Sequence, residues 1–303
     1  MSRRAWTRRT DEMRVELRHH AVVRGAAPAV AVATAGHRLH RTRAGVLTGL
    51  AAGLVQASVL ERLAALDRDV RNAEDASLLA PILAQADVSL GTWAAEPDFL
   101  RLLAAELSRD PVGVVELGSG ASTVLMALVQ RRRGGPPVIS IDHDSGFAQR
   151  TWTTLARTGL QDQVKIHVAP LQPTVIDGRD LVWYDREELE RALPAQIDLL
   201  VVDGPPSTSR LARWPAVELL APRLSERCVV LLDDGRRREE TAIARSWARR
   251  HPHLALFWHD TVKGTWRLEA TPQVDGPVLR LARRGVRTVD AHPNGFRRWS
   301  VRR

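Results

Sequence analysis

The chain has 303 residues, 44% of them hydrophobic, which suffices for one large domain with an appendage, and its single cysteine, Cys228, excludes an intrachain disulfide. The net charge of +9 sits at the ends: residues 1–43 carry +7, residues 277–303 carry +7, and residues 44–276 are left at −5. Arginine supplies 42 of the 44 basic residues, and neither basic arm interleaves its charges with aromatics, so the composition argues against a nucleic-acid substrate. The arms read as solvated, or as resting on anionic lipid. Cys228 opens the apolar run Cys-Val-Val-Leu-Leu, which suits a buried thiol in a reducing, cytoplasmic compartment.

Residues 44–60 carry no charge, and Gly45, Gly49 and Gly53 recur at a spacing that permits close helix approach. The run is short for a bilayer and contains Thr, Gln and Ser, so a buried or interfacial helix is expected, with peripheral membrane contact through it and the basic arms. It begins too far from Met1 to be a secretory signal. Residues 61–71 alternate charge with leucine at helical spacing and continue the helix. Residues 1–94 therefore read as a helical extension. It is a lid, an arm of a homo-oligomer, or a membrane-resting helix.

From residue 95 the pattern changes to strands alternating with helices. Strands are expected at 113–117, 138–142, 164–168, 198–203, 228–233, 254–258 and 265–269. Helices are expected at 122–131, 146–160, 214–224 and 237–250. The central strands are nearly all apolar, the mark of a parallel sheet covered on both faces. The last two strands have no helix between them and should pair as an antiparallel hairpin. The expected fold is α/β: a doubly wound, mostly parallel seven-stranded sheet of Rossmann-like type over 95–270, followed by a basic tail at 271–303.

Val114-Val115-Glu116-Leu117-Gly118-Ser119-Gly120-Ala121-Ser122-Thr123 joins the first strand to the next helix through a turn with two glycines. Gly118 can take a backbone conformation that other residues avoid, and Gly120 lets a ligand approach the main chain. The helix start offers amides and a positive dipole end to a carboxylate or phosphate, with Ser122 and Thr123 as added hydroxyl donors. Asp142, in Ile139-Ser140-Ile141-Asp142-His143, ends the second strand, where an acid accepts the ribose hydroxyls of an adenosine. NAD and S-adenosylmethionine (SAM) would both use such an acid. Two details discriminate: Thr123 stands in place of a third glycine, and Glu116 lies two residues before the first.

Glu-Leu-Gly-Ser-Gly-Ala-Ser-Thr at 116–123, followed by Ile-Asp-His-Asp at 141–144, resembles motifs I and II of class I SAM-dependent methyltransferases. Val168-Ala169-Pro170-Leu171, Trp183-Tyr184-Asp185, Val202-Asp203-Gly204-Pro205-Pro206 and Leu232-Asp233-Asp234 with Arg237 and Glu240 resemble a bacterial subgroup of these enzymes. The likeness spans residues 95–270 and does not reach 1–90. It implies SAM as cofactor, with Gly118 and Gly120 lining the methionine moiety, Asp142 on the ribose, and Ala169 flanking the adenine. Glu116, Ser119, Ser122, Thr123, His143 and Asp203 complete the implied cofactor set.

Asp203 ends the fourth strand of this series, and Asp233 and Asp234 end the fifth. Three carboxylates brought together repel, and a hard cation such as Mg²⁺ or Ca²⁺ would relieve this. The resemblance to catechol-type O-methyltransferases supports a metal on Asp203, Asp233 and Asp234, although Pro206 stands where those enzymes have a catalytic lysine. The other reading has Asp203 contacting substrate while Asp233 and Asp234 cap a helix and pair with Arg236–Arg238. Asp203 and Asp234 are the carboxylates expected to take a proton from an acceptor, with His259 as a third candidate base. Trp183-Tyr184 is a wall over the acceptor or a plain aromatic plug. The expected reaction is O-methylation of a hydroxyl on a small-molecule or glycan-like acceptor. An NAD-dependent oxidoreductase and a non-catalytic SAM-binding protein are the alternatives.

Overall fold

A computed structural model describes residues 43–84, 95–207, 209–271 and 297–298. The basic arms lie outside the described residues, apart from Arg43 and the pair at 297–298. The chain divides into two compact units, residues 1–65 with 291–296, and residues 66–290 with 297–303.

In the first unit the described residues are the N-terminal part of helix α1, Arg43–Leu83, in which Val59, Leu60 and Leu63 are exposed. Among the described residues no helix is long and apolar enough to cross a membrane.

The second unit holds the rest of α1, then α2 (Pro97–Leu107), β1 (Val114–Leu117), α3 (Ala121–Arg133), β2 (Val138–Asp142), α4 (Ser145–Arg157) and β3 (Val164–Val168). Next come the hairpin β4 (Leu171–Ile176) and β5 (Arg179–Tyr184), then α5 (Arg186–Ala192), β6 (Ile197–Val202), α6 (Pro215–Leu220) and β7 (Leu224–Leu232). The chain finishes with α7 (Arg238–Arg250), β8 (Leu254–His259), β9 (Thr265–Ala270) and the two-residue β10 (Arg297–Arg298). The main sheet runs β10-β8-β9-β7-β6-β1-β2-β3. β3, β2, β1, β6 and β7 are mutually parallel, while β9 pairs antiparallel with both β7 and β8. The expected seven-stranded, doubly wound sheet with a closing hairpin is therefore present, extended at one edge by β10.

Side chains alternate across a strand, so each central strand feeds two cores. Val115, Leu117, Leu200, Val202, Val230 and Leu232 pack on one face with Trp183, Tyr184, Trp214, Ile243 and Trp247. Val114, Leu199, Val201, Val229 and Leu231 pack on the other with Phe99, Leu103, Val124, Leu125, Leu79 and Leu83. The C-terminal part of α1 is tied to α2 by polar contacts as well. Asn72 accepts from the Asp98 amide at 3.0 Å and donates to Glu96 at 3.1 Å, and Arg101 pairs with Asp75 at 2.6 Å.

Four local features depart from the sequence expectation. The β4–β5 hairpin was not anticipated. Its turn is Asp177-Gly178, both at positive φ (50° and 69°), the geometry that two-residue hairpins favour. The helix expected to run from 214 to 224 stops at Leu220 because Pro222 follows, and β7 begins at Leu224 rather than Cys228. Helix α4 stops at Arg157, two residues before Gly159, which takes a φ of 64°.

Strand order and register position the site. The chain winds outward through β2 and β3, then crosses to β6 on the other side of β1, and the crevice at such a reversal is where open α/β sheets bind ligands. Leu117 is level with Ile141 and Val202, and Val202 with Leu232, so four strands end in line.

Trp247 is fully buried and donates through Nε1 to the Trp214 carbonyl at 2.8 Å. Trp247→Ala should cost ~3–5 kcal/mol, measured as a lowered urea midpoint.

Candidate active site

The ladder of β1 runs on into the glycine turn. The Gly118 amide donates to the Ile141 carbonyl at 2.7 Å, and the Asp203 and Gly204 amides both donate to the Leu117 carbonyl, at 3.0 and 2.7 Å. Gly118 sits at a φ of 98°, and a Cβ there would stand 3.1 Å from the Gly204 amide nitrogen. Both the conformation and the close approach thus require glycine. A Cβ at Gly120 would meet nothing within 4 Å, so this side of the turn is open. Helix α3 closes its first turn with the Val124 amide on the Gly120 carbonyl at 3.3 Å, leaving the amides of 121–123 without an intrahelical partner.

Glu116 lies behind the turn, completely buried. It accepts from the hydroxyls of Ser122 and Thr123, both at 2.5 Å, and of Ser140 at 2.9 Å. The Thr123 oxygen in turn accepts from the Gly120 amide at 2.8 Å. Burial pushes the Glu116 carboxyl up to about 7, against the pull of its three hydroxyl donors. The sequence reading placed Glu116, Ser122 and Thr123 on the cofactor. Their side-chain oxygens are instead hydrogen-bonded to one another and fix the shape of the turn, whose open side at Gly120 is main chain.

Asp142 lies in front of the turn. Its Oδ2 accepts from the Ser119 amide at 2.9 Å and hydroxyl at 2.5 Å, and its Oδ1 from the Asp144 amide at 3.0 Å. His143 Nδ1 is 3.3 Å from Asp142 Oδ1. Ala169 is fully buried, and its amide donates to the Asp142 carbonyl at 2.8 Å. Ser119, Asp142, His143 and Ala169 are thus brought together beside Gly118 and Gly120.

The third part is acidic. Asp203 keeps 31% of its side chain exposed, whereas Asp233 and Asp234 are buried. Between the strand ends lies Arg213, 3% exposed. Its Nη2 reaches the Asp203 carbonyl at 2.5 Å, Asp234 Oδ2 at 3.0 Å and Asp203 Oδ1 at 3.4 Å. Its Nη1 donates to the Asp233 carbonyl at 3.1 Å and its Nε to the Pro205 carbonyl at 3.3 Å. Burial acts to lower the Arg213 pKa, but Asp203 and Asp234 outweigh it and raise it, so the guanidinium stays charged. Burial raises the Asp203 carboxyl above its usual range, with Arg213 pulling the other way. Asp233 is driven well above its ordinary value by burial and by its two acidic neighbours. Its Oδ1 has no hydrogen-bond partner among the described residues. The Arg213 guanidinium thus offsets the mutual repulsion of the carboxylates, and burial disfavours the charged form of Asp233.

This arrangement corrects the expected metal site. The donor set does not fit a divalent cation, because a guanidinium already stands against the Asp203 and Asp234 oxygens. Among the described residues no group of three or more His, Cys, Asp or Glu side chains could hold a metal ion. Asp234 is also corrected as a proton acceptor: its Oδ2 takes Arg213 and Arg237, each at 3.0 Å. His259 is corrected on position. It ends β8, and β9 lies between β8 and β7, so it stands roughly 10 Å from the β7 line. Burial, then Arg267 and Arg101, lower its pKa to about 3, leaving it a weak base.

Arg213 is the residue of this cluster that sequence reasoning missed. The only signal was the need for a cation near three carboxylates. A second group became visible only in the structure. Tyr184, buried at the end of β5, brings its hydroxyl to where a Cβ on Gly204 would be 2.6 Å away, and it has no hydrogen-bond partner among the described residues. Trp183 packs edge-on against it with centroids 4.9 Å apart, so the pair forms a wall beneath the site.

Residues 115–235 match a family model described as a methyltransferase domain. The match runs from β1 to just past the end of β7. No curated protein matches the sequence. Among solved structures, the domain's sheet is similar to that of a cofactor-bound protein from MTB (18% identity, 67% of this chain and 96% of that one, TM-score 0.48). It is similar also to an O-methyltransferase from Bacillus cereus in complex with SAH (14% identity, 65% and 91%, TM-score 0.47). A third is the O-methyltransferase TomG from Streptomyces achromogenes in complex with SAM (18% identity, 65% and 89%, TM-score 0.44).

The Glu116 knot gives the domain a pH signature. A carboxyl whose pKa is raised on folding holds its proton more tightly folded than unfolded, so folding stability is greatest below its unfolded value of about 4.5 and falls as pH rises toward about 7. The expected loss across that window is roughly 3 kcal/mol at most. Denaturant titrations at stepped pH should show this decline, and Glu116→Gln should flatten it.

Proposed function

We propose that the domain transfers the methyl group of SAM to a hydroxyl oxygen on a small-molecule or sugar-like acceptor. The observation that carries this reading is the adjacency of two half-sites. The main chain at Gly118 lies against Asp203 and Gly204, and the helix that follows the turn offers the amides of 121–123, so a ligand on the turn would have its reactive end beside Asp203, the most exposed of the aspartates that follow β6 and β7.

The cradle suits an adenosyl amino acid. A carboxylate would sit on the amides at the start of α3, where unpaired N–H groups and the helix dipole favour an anion. A ribose diol would donate to Asp142, taking the place of the Ser119 hydroxyl. Ala169 and His143 would border the base. Bound there, SAM supplies an electrophilic methyl on a sulfonium.

The protein's share is alignment and proton removal. Asp203 would accept the hydrogen bond of the acceptor hydroxyl. As the oxygen bonds to the methyl carbon and the carbon–sulfur bond breaks, the electron pair stays on sulfur and the proton passes to Asp203. A carboxylate whose pKa is raised by burial is better matched to that task than an exposed one. The net acidity of residues 44–276 supports a small acceptor over a polyanion.

Calorimetric titration with S-adenosylhomocysteine (SAH) tests the reading. Binding on the order of micromolar is expected, weakened about 100-fold by Asp142→Ala through lost charged hydrogen bonds. Purified protein that binds neither SAM nor SAH would refute it. Asp203→Asn should leave SAH affinity within about threefold while lowering turnover ~10²–10⁴-fold in an acceptor screen.

A further inference from the structure

We infer that Arg213 is a built-in cation that takes the position of a metal ion at the strand-end aspartates, so that the acceptor site orients Asp203 without a divalent cation. The inference rests on the acceptor site proposed above and assigns Arg213 as its positioning residue.

Three observations carry it. First, a single nitrogen, Nη2, lies within 3.4 Å of both Asp203 Oδ1 and Asp234 Oδ2, the oxygens a bridging cation would use. A divalent ion bonded to them at about 2.0–2.6 Å would stand almost on the guanidinium, and two positive centres cannot share that space.

Second, Arg213 is locked in place. Besides the carboxylates it donates to the carbonyls of Pro205, Asp233 and Asp203, bridging the ends of β6 and β7. Its neighbour Trp214 is 1% exposed, donates to Ser246 at 3.2 Å and accepts from Trp247 at 2.8 Å. The arginine cannot swing out to admit an ion without withdrawing three main-chain hydrogen bonds from a buried region.

Third, the charges already balance. Asp234 shares its Oδ2 between Arg213 and Arg237, and Asp203 faces Arg213 on one side and the crevice on the other. A planar guanidinium also does what a spherical ion would not: its forked donors fix the direction of each partner. Asp203 is thereby held with one oxygen on Arg213 and the other free to meet the acceptor hydroxyl.

The test is Mn²⁺ binding, read by electron paramagnetic resonance of the free ion, on wild-type protein and Arg213→Ala. Wild type should bind no stoichiometric Mn²⁺, and its melting temperature should be unchanged by millimolar Mn²⁺. Arg213→Ala should melt lower by about 5 °C or more, bind close to one Mn²⁺, and recover part of that loss with either Mn²⁺ or guanidinium ion. The added Mn²⁺ site should vanish in Arg213→Ala combined with Asp234→Asn. A merely structural arginine would leave a defect that neither ion repairs. One Mn²⁺ bound to wild type and abolished by Asp203→Asn would overturn the inference. So would a folded Arg213→Ala protein that binds no Mn²⁺. Where Arg213→Ala does not fold, the wild-type titration still decides. SAH titration of the same wild-type sample depends on the glycine turn and Asp142, so failure of the methyltransferase reading would appear there and not in the Mn²⁺ signal.

Discussion

Two buried parallel strands that each end in aspartate cannot be laid side by side without a counter-charge. β6 and β7 pair in register up to Val202 and Leu232, and the next residues are Asp203 and Asp233. Their amides continue the ladder, so the acids are fixed at one edge of the sheet whatever their side chains prefer. The chain answers with Arg213, delivered from the loop between β6 and α6, while burial disfavours the charged form of Asp233. The division of labour among the three acids follows. Asp233 is buried, Asp234 is held by two arginines, and Asp203 is the most exposed of the three.

The same register explains the glycine turn. Gly118 follows Leu117 at the level of Asp203, and Asp142 ends the neighbouring strand. Glu116, two residues before Gly118, is buried within the domain. There it gathers three hydroxyls and, through Thr123, the Gly120 amide. The turn is thus stiffened from behind by side chains and presents backbone in front. A main chain held in this way, leading into the unpaired amides of 121–123, is preorganised and would lose little entropy on binding an anion.

Much of the fold was legible because its causes are periodic. Apolar runs such as Leu199–Val202 and Val229–Leu232 can only be strands covered on both faces, and the absence of a helix between β8 and β9 forces their antiparallel pairing. The glycine turn and Asp142 were legible because the chemistry constrains local spacing. What escaped was direction and long-range company. Spacing placed Ser122 and Thr123 at the mouth of the helix but did not say that both hydroxyls turn inward to Glu116. The insertion of β9 between β7 and β8, which removes His259 from the site, is a property of strand order rather than of any local segment. Arg213 was invisible among 42 arginines, and the charge imbalance it corrects was assigned to a metal instead. The β4–β5 hairpin is different: Asp177-Gly178 between alternating residues was a readable signal, and it was overlooked.

The most direct measurement is a crystal structure of the protein with SAH at a resolution that locates the Ser119 and Asp142 side chains. The nucleoside should lie between Gly120 and Ala169, with its ribose hydroxyls on Asp142 in place of the Ser119 hydroxyl, its carboxylate on the amides at the start of α3, and its sulfur facing Asp203. A ligand bound elsewhere, with Asp142 still closed on Ser119 and the glycine turn empty, would contradict the whole assignment.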